Sequence, residues 1–197
     1  AQVSAELAGT LNVESATARL PRLVVPALAD YCILTVIDVS TSMRGAAPNG
    51  SPRIRFSAEA AKIGGDFLPD VAQTGLWGFS RELRGSENYI EYQELAELGE
   101  KDGNQTHRQA MVDSMFGLSG KLGGNGTAIY DVAVKAVRKM TESYDPRAAN
   151  TVVLYTDGAN SDQGGPTLDQ AVAQLKALHN PQRPVKLLAI SVGGDAQ

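Results

Sequence analysis

The chain has 197 residues, 43% of them hydrophobic and 20% charged, which is enough to bury one full core and too little for two. Its formal net charge of −4, with acids and bases interspersed, offers no basic patch to a phosphate backbone, so no nucleic-acid partner is expected. No apolar run approaches the roughly 20 residues that span a bilayer, and "AQVSAELAGT" lacks the basic start and apolar centre of a signal peptide; no direct membrane insertion by this chain is expected.

Residues 1–30 are small and polar up to Arg19 and then read "LPRLVVPALAD", where Pro21 and Pro26 forbid a long regular helix. They are expected to be a linker or N-terminal extension, with one domain over 31–197. The lone Cys32 has no intramolecular disulfide partner and reads as a small core residue. "CILTVID" is a continuous apolar run suited to a strand buried on both faces. "RIRFSAEAAKIGGDFL" follows as a helix, with Phe56, Ala60, Ile63 and Phe67 at helical spacing. "TGLWGFS" reads as a second strand, with Trp77 and Phe79 in the core, and "NYIEYQEL" as a third, more polar strand suited to a sheet edge. Met111, Val112, Met115 and Leu118 predict one helix; Ile129, Ala133, Val137 and Met140 predict another beginning near Thr127, and two successive helices are expected to cover one face. "NTVVLYTDG" is a further buried strand. Leu168, Ala171, Val172, Leu175 and Leu178 mark the inner stripe of a last helix, and "VKLLAISVGG" is the last strand.

This alternation predicts an α/β fold: a doubly wound, mainly parallel sheet with helices on both faces, strand order 3-2-1-4-5, and the third strand antiparallel at an edge. Ligands of such sheets bind at the carboxyl ends of the strands. At that edge lie Asp38, where the first strand ends, with Ser40 and Ser42 just after it, and the turn-rich loop "RGAAPNGSP". Thr127 follows a glycine-rich turn in "GGNGTAIYD", and Asp157 ends the strand "LYTDG". Two carboxylates and three hydroxyls form an all-oxygen donor set suited to a hard divalent cation, Mg²⁺ first, with Mn²⁺ or Ca²⁺ as alternatives.

The D-x-S-x-S of Asp38, Ser40 and Ser42, followed in order by Thr127 and Asp157, resembles the metal-ion-dependent adhesion site of von Willebrand factor type A domains. The match runs from about Tyr31 to "ISVGGDA". The resemblance implies that Ser40 and Ser42 bind the metal directly, that Asp38 acts mostly through water and hydrogen bonds, and that Thr127 and Asp157 trade direct and water-mediated contact. The rim of the open position is expected at Thr41, Met43, Gly126, Gly158 and Asp162. Hydroxyl ligands leave most of the cation's charge unquenched, so it attracts an anionic group such as the Asp or Glu of a protein partner. "GLWGFS", "ESYDPRAANTVVLYTDGANSD" and "PVKLLAISVGGDA" are most similar to type A domains of actinobacterial extracellular solute-binding proteins, which implies an extracellular or cell-envelope location. Members of the family continue into a sixth strand and a terminal helix, so the domain is expected to lack both.

Other chemistries fit less well. "GKLGGNGT" lacks the G-x-x-x-x-G-K-[ST] order of a phosphate-cradling loop. A haloacid-dehalogenase-like phosphatase needs a second Asp where Ser40 stands. A serine hydrolase would need a G-x-S-x-G elbow that is absent, and the two histidines, His107 and His179, are expected to face solvent. Ser161 and Asp162 either border the metal crevice or cap the next turn. A non-catalytic, cation-dependent protein-binding module is the expected function; the alternatives are an intracellular assembly adaptor of a metal-chelatase or ATPase complex and a Mg-dependent phosphatase-like enzyme.

Overall fold

The computed structural model describes residues 30–124 and 126–192. The chain divides into Ala1–Asp30 and Tyr31–Gln197. The linker expected over residues 1–30 lies outside the described residues, apart from Asp30.

The sheet has five strands in the order β3-β2-β1-β6-β7: β1 (Asp30–Asp38), β2 (Gln73–Arg84), β3 (Glu87–Glu97), β6 (Ala148–Thr156) and β7 (Lys186–Ser191). β1 runs parallel to β2 from Cys32↔Gln73 to Asp38↔Phe79, and β6 runs parallel to β7 from Thr151↔Lys186 to Thr156↔Ser191. β3 pairs antiparallel with β2 as an edge strand. The predicted architecture and strand order are therefore observed. A short hairpin of β4 (Lys101–Asp102) and β5 (Gln105–Thr106), turning through Gly103 at φ +59°, has no counterpart in the sequence expectations. The helices are α1 (Arg53–Asp66), α2 (His107–Gly117), α3 (Ile129–Glu142) and α4 (Leu168–Leu178). Among the described residues no helix is long and apolar enough to cross a membrane.

Strand side chains alternate between faces, so β1 feeds two cores. Ile37 and Val39 join Leu76 and Tyr155 beneath Ile54, Ala58 and Ala61 of α1 and Met111 and Met115 of α2. Cys32, Leu34 and Val36 join Trp77, Phe79, Val152 and Leu154 beneath Val132, Ala133, Ala136, Val137 and Met140 of α3, with Leu175 and Leu178 of α4 packed alongside. Thus α2 and α3 lie on opposite faces, against the expectation that successive helices share one. The physical cause is the glycine-rich segment between them, which crosses the carboxyl edge of the sheet. Gly123 N–H donates to Val39 O at 2.9 Å, and Arg81 N–H donates to Gly126 O at 2.9 Å.

The inner face of α1 also differs from the spacing of its large residues. Ile54, Ser57, Ala58 and Ala61 are buried, whereas Ile63 and Phe67 are exposed. Small side chains at 57, 58 and 61 let the helix lie close to the sheet, and a pattern weighted by large apolar residues misphases it. In α4, Ala171 is buried and Leu168 and Val172 are exposed. His107, expected in solvent, is half-buried at the start of α2, with Nε2 2.7 Å from Thr74 O; His179 is exposed.

Candidate functional site

β1 ends at Asp38 on the α3 face, beside Thr156, which ends β6 on the same face. Asp38 has no exposed surface. Its Oδ2 accepts a hydrogen bond from Thr156 Oγ1 at 2.8 Å, and its Oδ1 accepts one from Ser40 N–H at 2.8 Å. Burial pushes the Asp38 carboxyl above its ordinary range; the hydrogen bonds from Ser40 and Thr156 pull it back down, and the nearby Asp157 adds to the rise.

Ser40, in extended backbone, opens a single 3₁₀ turn over Thr41–Arg44 that swings Ser42 back over Ser40. Their Oγ atoms stand 2.9 Å apart, and Ser42 Oγ donates to Asp157 Oδ1 at 2.8 Å. Asp38, Ser40, Ser42 and Asp157 are therefore brought together in one hydrogen-bonded run at the carboxyl edge. The donor set can be tested against a small octahedral cation: metal–oxygen distances of 2.0–2.1 Å put neighbouring ligands about 2.8–3.0 Å apart. The observed spacings of 2.9 and 2.8 Å along the Ser40–Ser42–Asp157 run meet that requirement. Among the described residues no group of three or more His, Cys, Asp or Glu side chains could hold a metal ion. The Ser40 and Ser42 hydroxyls stand at that ligand spacing beside Asp157.

Thr127 reaches the same edge differently. It is nearly buried before α3, and its backbone bridges to the loop after β6: Thr127 N–H donates to Ser161 Oγ at 2.8 Å, and Ser161 N–H donates to Thr127 O at 2.9 Å. Among the described residues its side chain makes no hydrogen bond to Asp38, Ser40, Ser42 or Asp157, so its link to them runs through the crossing segment. Thr41 and Gly158 are exposed at the rim, and Gly126 lies against Ser161 with φ +153°. Met43 is a correction: with no exposed surface it points into the core beside Ile37, Val39 and Ile54, because the 3₁₀ turn that raises Ser42 turns residue 43 inward. Asp162 faces its own loop and β3, accepting from Gly164 N–H at 3.1 Å and Asn88 Nδ2 at 3.4 Å. Ser161 thus holds the Thr127 segment, and Asp162 caps a turn.

Two residues at the site, Thr156 and Arg53, carry no candidate role in the sequence. Thr156 had a signal, since strand alternation places it on the Asp38 face. Arg53 had none: the loop after Gly45 closes on itself through an Ala46–Pro52 bridge and delivers Arg53 to Asp157, with Nη1 2.7 Å from Oδ2.

No family model and no curated protein matches the sequence. Solved structures do. Proximal thread matrix protein 1 from the mussel byssus, solved with a zinc-occupied MIDAS motif, is 19% identical with a TM-score of 0.56, covering 84% of this chain and 39% of that one. A second crystal form of the same protein gives 19% identity and a TM-score of 0.57 over the same shares. The chain thus spans about two fifths of the length of the mussel protein, and at this identity the likeness establishes the fold alone.

Proposed function

Because the domain has the von Willebrand factor type A fold, we propose that it is a non-catalytic, divalent-cation-dependent protein-binding module whose metal site is built by Asp38, Ser40, Ser42, Thr127 and Asp157. The observation that carries this reading is the pair of serine hydroxyls held 2.9 Å apart by Asp38 below and Asp157 beside them. Bound there, a divalent cation would keep most of its charge for an anionic group of a partner, such as an Asp or Glu side chain. Asp38 orients the Ser40 backbone and stays out of solvent. Asp157 fixes Ser42, and the 3₁₀ turn presents Thr41 at the rim.

A nucleophilic role for Asp38 finds no support, since both its oxygens are occupied and the side chain has no exposed surface. The zinc at the MIDAS motif of the mussel protein supports a divalent metal in a domain of this fold. The oxygen donors and their spacing favour Mg²⁺, with Mn²⁺ or Ca²⁺ as alternatives. That protein's place in a thread matrix, together with the resemblance to envelope-associated type A domains, supports an extracellular or cell-envelope setting. The test is calorimetric titration with Mg²⁺ and Mn²⁺, followed by capture on an immobilised acidic peptide with metal and with chelator. Saturable metal binding and metal-dependent capture, both lost in Ser40→Ala with the fold intact, are expected. Titration without binding, or capture indifferent to chelator, refutes the reading.

A further inference from the structure

Asp157 is neutralised by the chain itself. Its side chain is 1% exposed, and its Oδ2 accepts from Arg53 Nη1 at 2.7 Å while its Oδ1 accepts from Ser42 Oγ at 2.8 Å. Arg53 is held in turn, with Nε donating to Ala46 O at 3.3 Å and its backbone N–H donating to Gly45 O at 2.9 Å. The arginine side chain is 26% exposed, so unlike the carboxylate it has solvent to withdraw into. Among the described residues no other cation pairs with Asp157.

A carboxylate this far from water is costly unless a positive charge or several donors stand beside it. Here the positive charge is part of the chain, and it stands next to hydroxyls spaced for a divalent ion. Two cations drawn to one carboxylate repel each other, and each reduces what the other gains there. We propose that Arg53 is a tethered counter-cation that competes with the metal for Asp157. Arg53 neutralises Asp157 when no ion is bound, and restrains Asp157 from closing on an ion that is. The inference rests on the metal-binding reading of the site and adds what sets its affinity. The ion pair and the Ser42 hydrogen bond together satisfy both Asp157 oxygens.

The experiment is calorimetric titration of the full chain with Mg²⁺ and with Mn²⁺, with thermal melting in chelator alongside. Arg53→Gln, which removes the charge and keeps an amide donor, is expected to bind metal about tenfold more tightly than wild type, within the range usual for coupled sites. It should also melt below wild type in chelator and gain more from saturating metal. Arg53→Lys keeps the charge and should stay close to wild type. In an Asp157→Asn background, Arg53→Gln should no longer tighten binding, as a double-mutant cycle requires. Arg53→Met, similar in length and uncharged, repeats the test if the glutamine variant does not fold. An uncharged variant that is folded by circular dichroism and binds no tighter than wild type overturns the proposal, because a merely structural arginine can only lose affinity when removed. Wild type that binds metal alongside such a variant defeats this inference alone. Wild type and variants that all fail to bind defeat the metal reading with it.

Discussion

Asp38 and Leu34 lie four residues apart on one strand, both fully buried on the α3 face, yet they answer to different physics. Leu34 fills space in the core, so Leu34→Ala should cost about 2–5 kcal/mol in denaturant unfolding. Asp38 is a carboxyl that burial and Asp157 push above its ordinary range, which means that its charged form works against the metal-free fold. For a group whose folded pKa is raised, the stabilising balance is complete below the unfolded pKa and is lost as pH rises through the folded one. In chelator at pH 7, Asp38→Asn should therefore melt at least as high as wild type. The difference should shrink as pH falls towards the ordinary carboxylate range, where wild type is protonated too. A variant that melts well below wild type at pH 7 would show that the charge supports the fold. The same strand holds Cys32, whose thiol burial pushes up to about 11. It should stay unmodified by an aromatic disulfide reagent at neutral pH in the native protein and react fully in denaturant.

At the scale of elements, the segment between α2 and α3 decides both which face each helix covers and where Thr127 ends up. Gly124 is its tightest point, with φ +77° and a position where an added Cβ would lie 2.1 Å from Ser80 Oγ and 2.8 Å from Arg81 O. The serine could rotate away, but the backbone carbonyl could not. Gly124→Ala should lower stability by about 1–3 kcal/mol, through left-handed strain and the clash together. Metal affinity should fall with it, because the segment that carries Thr127 must lift off the edge. Unchanged melting and titration would show that the segment adapts without loss. The 3₁₀ turn over Thr41–Arg44 divides its work similarly, with Met43 anchoring it in the core while Ser42 rises to Asp157.

At the scale of the whole molecule, β7 is an edge strand of the sheet among the described residues, and its Leu187, Leu188 and Ile190 are 37, 52 and 39% exposed. An unpaired apolar edge is a site of self-association, which charged residues suppress. Leu188→Lys should reduce concentration-dependent light scattering while changing stability by no more than about 0.5 kcal/mol; scattering equal to wild type would show that this edge does not associate. The strand order and the antiparallel edge were legible in the sequence because strand and helix alternate along the chain with one polar, alternating strand inserted, and such connections admit few topologies. The convergence of Asp38, Ser40, Ser42 and Asp157 on the carboxyl edge followed from the same reading, since each stands at or just after the end of a buried strand. Met43 was misread as rim because a one-turn 3₁₀ segment points successive residues in different directions, and nothing in "STSM" says which faces inward. The phase of α1 was misread because close packing selects small residues that a hydrophobic count overlooks. The face assigned to α2 depended on a crossing held by backbone hydrogen bonds from Gly123 and Arg81, which involve no particular side chain. Local sequence thus determined which elements form and which donors end the strands. Only the tertiary structure brought Arg53 to Asp157, because an ion pair between residues 104 positions apart exists only after a loop and a helix have been placed against two strands.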